Sequence, residues 1–491
     1  MNKKKLIISI LLSIIILSLC PECKLTYSGI SFEYSQESEE SIGNFARDNY
    51  GYIIYDIESE KIVKAHNINR EFIPASITKL FTAFFANEVL GNDFTFSTEL
   101  SYSGRISDNT LSGNLYLTGS GDPELSLDGL LYLVKDLKRT GISEVKGNFY
   151  IDETLFPPKE EISHDMSYYA HYNAGIGPLS FNSNTIYVLQ RRDNKNKIIS
   201  ADLVPSLPSF ESYIYDFDKS YPPIRFNYKD GKSVWLLPNK NVWESRQPLP
   251  VKNPGLFTGE VFQYLCNVHG INIPQPKNVG EKYSSKNISK YKSRPLYLIN
   301  KDMIFYSNNI TAELICTAAS DNYIKDKTGD AEKLKPMEIF YGKNFTGIDW
   351  SNFNIANGSG LTSLNRATPA QTAAVLLFIE KSDKKNFRLE DILPVSGWNG
   401  TMMGRLNKPY MLYRVYGKTG SIFYASALAG LFYAKSGKRY IYSVYVDDKS
   451  KRKEYDLKAD KSDTDQGKAN LWSKEAAAAI DEFLFKIIEE L

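Results

Sequence analysis

One segment restricts the fold more than any other. Pro74-Ala75-Ser76-Ile77-Thr78-Lys79 runs into Leu80, Phe81, Phe84, Phe85, Val89 and Leu90 at helical spacing and stops at Gly91. Apolar residues three and four apart share one helix face. Proline suits a helix start and glycine a helix stop. This predicts a buried helix with Ser76 in its first turn. Ser76 and Lys79 are three apart, so the amine can reach the hydroxyl. Serine is a poor nucleophile near neutrality without an adjacent base. A lysine desolvated at the end of a buried helix, with a second cation nearby, can lose its proton and serve. The helix N-terminus also favours developing negative charge.

The Ser-x-x-Lys pattern is weak without its context. Ser143/Lys146, Ser289/Lys292, Ser382/Lys385 and Ser450/Lys453 match it too, but in polar stretches that read as solvated surface. The chemistry needs two further elements: a strand edge to hold substrate and a second polar pair facing the nucleophile. Lys418-Thr419-Gly420-Ser421 follows a short strand-like run, Arg414–Tyr416, and precedes an apolar strand, Ala427–Tyr433. Gly420 lets a substrate backbone approach; Lys418 and Thr419 suit a terminal carboxylate. A second match, Lys327-Thr328-Gly329, sits among Lys325, Asp326 and Asp330 and reads as a solvated loop. Three segments compete for the second pair. Ser107-Asp108-Asn109 lies between strand-like runs and reads as a hairpin turn. Ser320-Asp321-Asn322 reads as a helix end. Ser307-Asn308-Asn309 precedes a helix with an apolar face, Ile310–Ile315, so Ser307 and Asn309 are chosen.

Tyr52–Ile57 and Lys61–Ala65 alternate around a polar turn and predict a hairpin. Between about 96 and 295 short strands and turns dominate, and helical patterns are few. Helical periodicity returns at Asp302–Ala319 and Pro369–Glu380. Strands follow at Arg414–Tyr416, Ala427–Tyr433 and Tyr440–Val446. A charged loop is expected over Lys449–Lys468, then an amphipathic helix from Trp472 to Leu491. The sum is one α/β domain interrupted by one or two inserted, mostly β modules. Residues 25–95 plus 296–491 form the main domain. Residues 96–295 form the insert, with a candidate nested unit at about 125–198.

Charge is balanced, with 59 basic and 57 acidic residues, which leaves no electrostatic footprint for nucleic acid. Cys20, Cys23, Cys266 and Cys316 form no zinc pattern. Neither do His66, His164, His171 and His269, so no metal or cofactor is expected. Met1-Asn2-Lys3-Lys4-Lys5 and the apolar run Leu6–Leu19 read as an export signal or membrane anchor over residues 1–24. Two endings stay open: lipidation of Cys20 after Leu17-Ser18-Leu19, or an uncleaved anchor. The plainer alternative makes Cys20 part of the apolar run.

Ser76-x-x-Lys79, Ser307-x-Asn309 and Lys418-Thr419-Gly420, in that order, resemble the signature of penicillin-binding proteins and serine β-lactamases. About 230 residues separate Lys79 from Ser307, far more than a compact β-lactamase needs. The chain resembles the PBP4-type D-alanyl-D-alanine carboxypeptidases, peptidase family S13, from about Asn49 to Val446. Gly119-Ser120-Gly121-Asp122-Pro123, Val145–Asn148 with Ile151-Asp152, Asn357-Gly358-Ser359-Gly360-Leu361, Leu393–Gly397 with Gly400-Thr401, and Gly417–Ser421 carry the likeness. The resemblance implies a serine β-lactamase/DD-peptidase-like α/β (α+β) domain, an antiparallel sheet flanked by helices with a large insert. It implies that Ser76 attacks the bond between two D-alanines and Lys79 takes its proton. Ser307 and Lys418 would pass a proton to the departing amine, and Asn309 would hold the substrate amide. The Ser76 and Ser421 N–H groups would form an oxyanion hole, and Thr419, Gly420 and Ser421 would bind substrate. Peptidoglycan peptide would be the substrate and β-lactams the inhibitors. The compartment implied is the periplasm or the outer face of the cytoplasmic membrane, with attachment through the N-terminus; oligomeric state stays open.

Two positions depart from the family. Asn308 stands where relatives often have Asp. Ser363 follows Gly358–Thr362 where many relatives carry Arg, which puts a diaminopimelate preference in doubt and opens a neutral or basic third stem residue, such as lysine or ornithine, unless Arg366 compensates. Two other functions are weighed. A degenerate wall-binding member conflicts with the complete motif set. A β-lactamase or esterase is disfavoured by the long insert and by the lack of an obvious deacylation base.

Overall fold

The computed structural model describes residues 30–194 apart from 33 and 35, then 198–215, 224–238, 246–280, 283–324, 335–382, 387–458 and 463–491. The N-terminal apolar run, Cys20, Cys23 and Lys327-Thr328-Gly329 lie outside the described residues.

Alternating residues form the expected hairpin, Tyr50–Asp56 (β1) and Lys61–His66 (β2). Three strands near the far end complete the sheet: Val415–Ile422 (β3), Ala425–Tyr433 (β4) and Arg439–Asp447 (β5). The order is β3-β4-β5-β1-β2 and every neighbouring pair is antiparallel. Strand side chains point alternately to opposite faces. In β4 and β5 that alternation divides the core in two. Ala427, Ala429, Leu431, Ile441 and Tyr445 join one apolar cluster; Leu428, Phe432, Tyr440, Tyr442 and Val444 join another. The sheet is therefore covered on both faces.

The first face receives Thr78–Leu90 (α1), whose Phe81, Phe84 and Phe85 are buried. Each such side chain stabilises the fold by roughly 1.5–3 kcal/mol. Leu296–Tyr306 (α2) and Asn309–Ile324 (α3) follow; the expected single periodic stretch is two helices. The break is Ser307, left-handed at φ 57, ψ 38. Pro369–Lys381 (α4) packs on the same face, and Thr368 and Gln371 cap it reciprocally. The expected charged loop is not one. Lys449–Asp456 (α5) is a helix capped by Asp448, and the terminal helix Asp463–Glu490 (α6) begins well before Trp472. α6 covers the second face through Trp472, Ala476, Ile480, Phe483 and Leu484.

The insert has a separate core around Leu117, Leu133, Phe149 and Phe262. Its five-stranded sheet runs Pro276–Asn278, Phe149–Asp152, Leu115–Gly119, Ser97–Tyr102, Lys286–Lys292. Two three-stranded sheets lie between 185 and 250. It also holds two full helices, Leu127–Arg139 and Pro254–Val268, more helix than the sequence reading allowed. The strands of the large sheet that come first and last along the chain, Ser97–Tyr102 and Lys286–Lys292, pair antiparallel, Ser97 opposite Lys292. The insert's two connections to the rest of the chain therefore leave side by side.

Candidate active site

Ser76 lies in a 3-10 turn, Ala75–Ile77, directly before α1. Ala75 has φ +45, a conformation that costs an alanine of order 1–3 kcal/mol. Two close backbone approaches surround this turn. A Cβ on Gly360 would lie 1.8 Å from the Ala75 carbonyl, and one on Gly420 would lie 2.6 Å from the Pro74 carbonyl. Both positions thus need glycine. They let the Asn357–Leu361 loop and β3 close on the turn from either side.

Lys79 is fully buried. Its Nζ donates to Ser76 Oγ at 3.0 Å, Asn309 Oδ1 at 2.8 Å and the Ser359 carbonyl at 2.7 Å. Burial pushes it down to about 7, while the Glu313 carboxylate pulls the other way. An amine poised near neutrality can take a hydroxyl proton. Glu313 itself is raised by burial and sits under the loop, accepting from Ser359 N at 2.7 Å and Gly358 N at 3.3 Å. Thr82 Oγ1 donates to the Gly358 carbonyl at 2.6 Å, which ties the same loop to α1.

Lys418 is also fully buried. Its Nζ donates to Ser307 Oγ at 2.9 Å and to the Thr419 carbonyl at 2.9 Å. Burial first, and the charge of Lys79 second, hold it well below the ordinary lysine range. The left-handed break at Ser307 separates α2 from α3 and leaves Asn309 as the first residue of α3. Asn308 Oδ1 accepts from Thr311 N at 3.0 Å, so Asn308 caps α3. A cavity of about 320 Å³ is lined by Ser76, Ser307, Asn309 and Ser421, with Tyr172, Met166 and Ser473 among its other walls. Thr419 is half-buried on β3 and Ser421 is exposed.

The structure thus gathers Ser76, Lys79, Ser307, Asn309 and Lys418 around one cavity. The rejected alternatives sit elsewhere. Asp108 and Asn109 form a hairpin turn with φ +48 and +59, and Ser320–Asn322 fall in the last turns of α3. Ser289, expected on the surface, is buried and donates to Asp136 at 2.5 Å. Sequence reasoning missed Glu313, Tyr172 and the Ser359 carbonyl. Glu313 had one visible signal, a lone carboxylate inside the apolar run Ile310–Ile315. Arg366 is engaged with the backbone around Ser363 and with Glu71. It donates to the Ser363 and Asn365 carbonyls at 2.5 and 2.8 Å and faces Glu71 at 3.9 Å. Ser363 is held instead by carboxylates: Asp165 accepts from its N at 2.9 Å, and its Oγ lies 3.1 Å from Asp165 and 3.0 Å from Asp456.

The profile of the D-Ala-D-Ala carboxypeptidase 3 (S13) family matches residues 37–470. The D-alanyl-D-alanine carboxypeptidase DacB of Haemophilus influenzae is 26% identical over 423 residues, covering 81% of this chain and 85% of the relative. The crystal structure of penicillin binding protein 4 from the same organism has TM-score 0.70 at 24% identity, over 87% of this chain and 96% of that one. A complex of that protein with a β-lactam has TM-score 0.67 at 24% identity, with the same coverage.

Proposed function

The chain belongs to the D-Ala-D-Ala carboxypeptidase 3 (S13) family, serine-type hydrolases of peptidoglycan stem peptides, and we propose that Ser76 carries its acyl-enzyme. The observation that carries this reading is the three-way contact of Lys79 Nζ with Ser76, Asn309 and the Ser359 carbonyl.

In the proposed reaction Ser76 Oγ attacks the carbonyl between two D-alanines while its proton passes to neutral Lys79. The backbone N–H groups of Ser76 and Ser421 hold the oxyanion, a contribution worth ~3–4 kcal/mol per donor in other enzymes. The C–N bond then breaks. Ser307, bonded to Lys418, delivers a proton to the leaving amine, and D-alanine departs. Water then attacks the ester, its released proton restores Ser307, and Lys79 returns its proton to Ser76 as the acid departs. Asn309 holds the substrate amide, Thr419 and Gly420 hold the peptide along β3, and Lys418 meets the terminal carboxylate. An endopeptidase cut follows the same steps on a cross-bridge amide. A β-lactam opens on Ser76 by the same attack, but its leaving amine stays tethered.

The separate apolar cores support a catalytic body of 25–95 plus 296–491 and an insert of 96–295. The lysine-rich start and apolar run support export to the periplasm or the outer face of the cytoplasmic membrane, with the N-terminus or Cys20 as the attachment. Among the described residues no helix is long and apolar enough to cross a membrane. The Asp165 carboxylate beside Ser363, with Asp456 already paired to Arg452, favours a neutral or basic third stem residue, such as lysine or ornithine, over diaminopimelate.

Fluorescent penicillin followed by a D-Ala-D-Ala pentapeptide tests the reading. A labelled Ser76 peptide and released D-alanine are expected, with lysine peptides turned over faster than diaminopimelate ones. Labelling that survives in Ser76→Ala would falsify the nucleophile. Labelling without D-alanine release would favour an endopeptidase or a wall-binding member.

A further inference from the structure

The insert reaches into the catalytic centre. We propose that its residues 156–184 clamp the second motif and fix the Asn309 side chain, with Asn173 as the positioning residue. This rests on the assignment of Asn309 to the active site.

Asn309 Nδ2 donates to the Tyr172 carbonyl at 3.1 Å across 137 residues of sequence. A side-chain amide has an acceptor end and a donor end. With the donor end committed to Tyr172, the acceptor end faces Lys79 at 2.8 Å. The reverse orientation would set N–H groups against the lysine and an oxygen against a carbonyl, so it is disfavoured twice. One N–H of the amide stays available for a substrate carbonyl. The neighbouring Asn308 is gripped as well: its Nδ2 donates to Ser183 Oγ at 3.3 Å.

The same segment is fastened to α3 by an apolar cluster of its own. Ala174 and Ile176 pack with Ile310 and Leu314, and Phe156 and Ile162 cover them. Asn173, fully buried, organises the loop. Its Oδ1 accepts from Ile162 N at 3.0 Å and Ser163 N at 2.9 Å; its Nδ2 donates to Glu161, Ser163 and Ser167 oxygens at 3.0, 2.9 and 3.3 Å. Lys252, also buried, donates to the Asn173 carbonyl at 3.0 Å and sits 3.7 Å from the Tyr168 ring. Asn173 is the residue after Tyr172, so this network sets where the Tyr172 carbonyl points.

A double-mutant cycle on the full chain tests the clamp, with the rate of Ser76 acylation by fluorescent penicillin as readout. Asn173→Ala slows acylation about 30-fold, in the range expected when a reacting group is displaced by ~1 Å. In an Asn309→Ala background the same substitution costs less than about threefold, because its target is gone. Asn173→Ala also moves the acid limb of the acylation profile to lower pH. Lys79 loses the amide acceptor that favours its charged form, while its charged neighbours Glu313 and Lys418 are unchanged. Tyr283→Phe, which breaks bonds to Thr118 and Asp152 elsewhere in the insert, leaves rate and profile unchanged. If Asn173→Ala does not fold, Lys252→Met enters the same cycle with the same expectations. An equal loss in both backgrounds, or none in the wild-type background, overturns the clamp. A wild-type chain that is not acylated at Ser76 overturns the functional reading instead.

Discussion

Two serine–lysine pairs meet the cavity through their serines, and they are built differently. Ser76 and Lys79 share one helical turn. Ser307 and Lys418 join a helix break to a strand 111 residues further along. Their distances are nearly equal, 3.0 and 2.9 Å. Their surroundings are not. Lys79 has three acceptors and the Glu313 carboxylate in its field; Lys418 has two acceptors and feels the charge of Lys79. Geometry is repeated while charge is not, and charge divides the labour. Near neutrality Lys79 is the lysine that readily holds or gives up a proton. Lys418 becomes favourable as a cation once an anionic peptide terminus arrives beside it.

The largest test of that division is Lys79→Met. It should lower penicillin acylation by about 10³-fold or more, since it removes the proposed base. Lys418→Met should cost about 10²-fold, and more for peptides with a free terminal carboxylate than for their amides. An equal loss on both peptide types would break the contrast. Gly420→Ala pushes a methyl against the Pro74 carbonyl and forces the two pairs apart. Overpacking of this kind costs about 1–3 kcal/mol, visible as a lower Tm with slower acylation. Glu313→Gln removes the charge that raises Lys79, so the acid limb of the acylation profile should move to lower pH; a shift to higher pH would refute the role given to Glu313. Asn308→Asp keeps the cap on α3 and adds a charge that a helix N-terminus tolerates. It should change acylation less than about threefold.

The first pair was legible because it is local: an apolar helix announces itself, and its serine comes with it. Ser307 and Asn309 were legible through the apolar run behind them, although the left-handed turn that aims them was not. Glu313 was hidden because its partners, Ser359 N and Gly358 N, lie over 40 residues away in sequence. The tail misled for a different reason. α5 reads Lys449-Ser450-Lys451-Arg452-Lys453-Glu454-Tyr455-Asp456, with only Arg452 and Tyr455 buried, so no apolar stripe marked it as a helix. In the insert, Leu130, Leu133, Val134 and Leu137 do form such a stripe, and the density of turns around it obscured the signal.

The place of β1 has a consequence for the order in which the molecule can be built. β1 lies between β2 and β5, with Tyr50 opposite Val446. A chain emerging from its N-terminus presents β1 early, yet half its backbone groups wait for a strand made about 400 residues later. Until then the hairpin has an open edge, the kind that invites wrong pairing. Closing so long a loop also slows folding. Ser76 is synthesised early, but β3 and Lys418 reach it only when nearly the whole chain has been delivered. With the proposed site residues, such a chain completes its active site only as its synthesis ends.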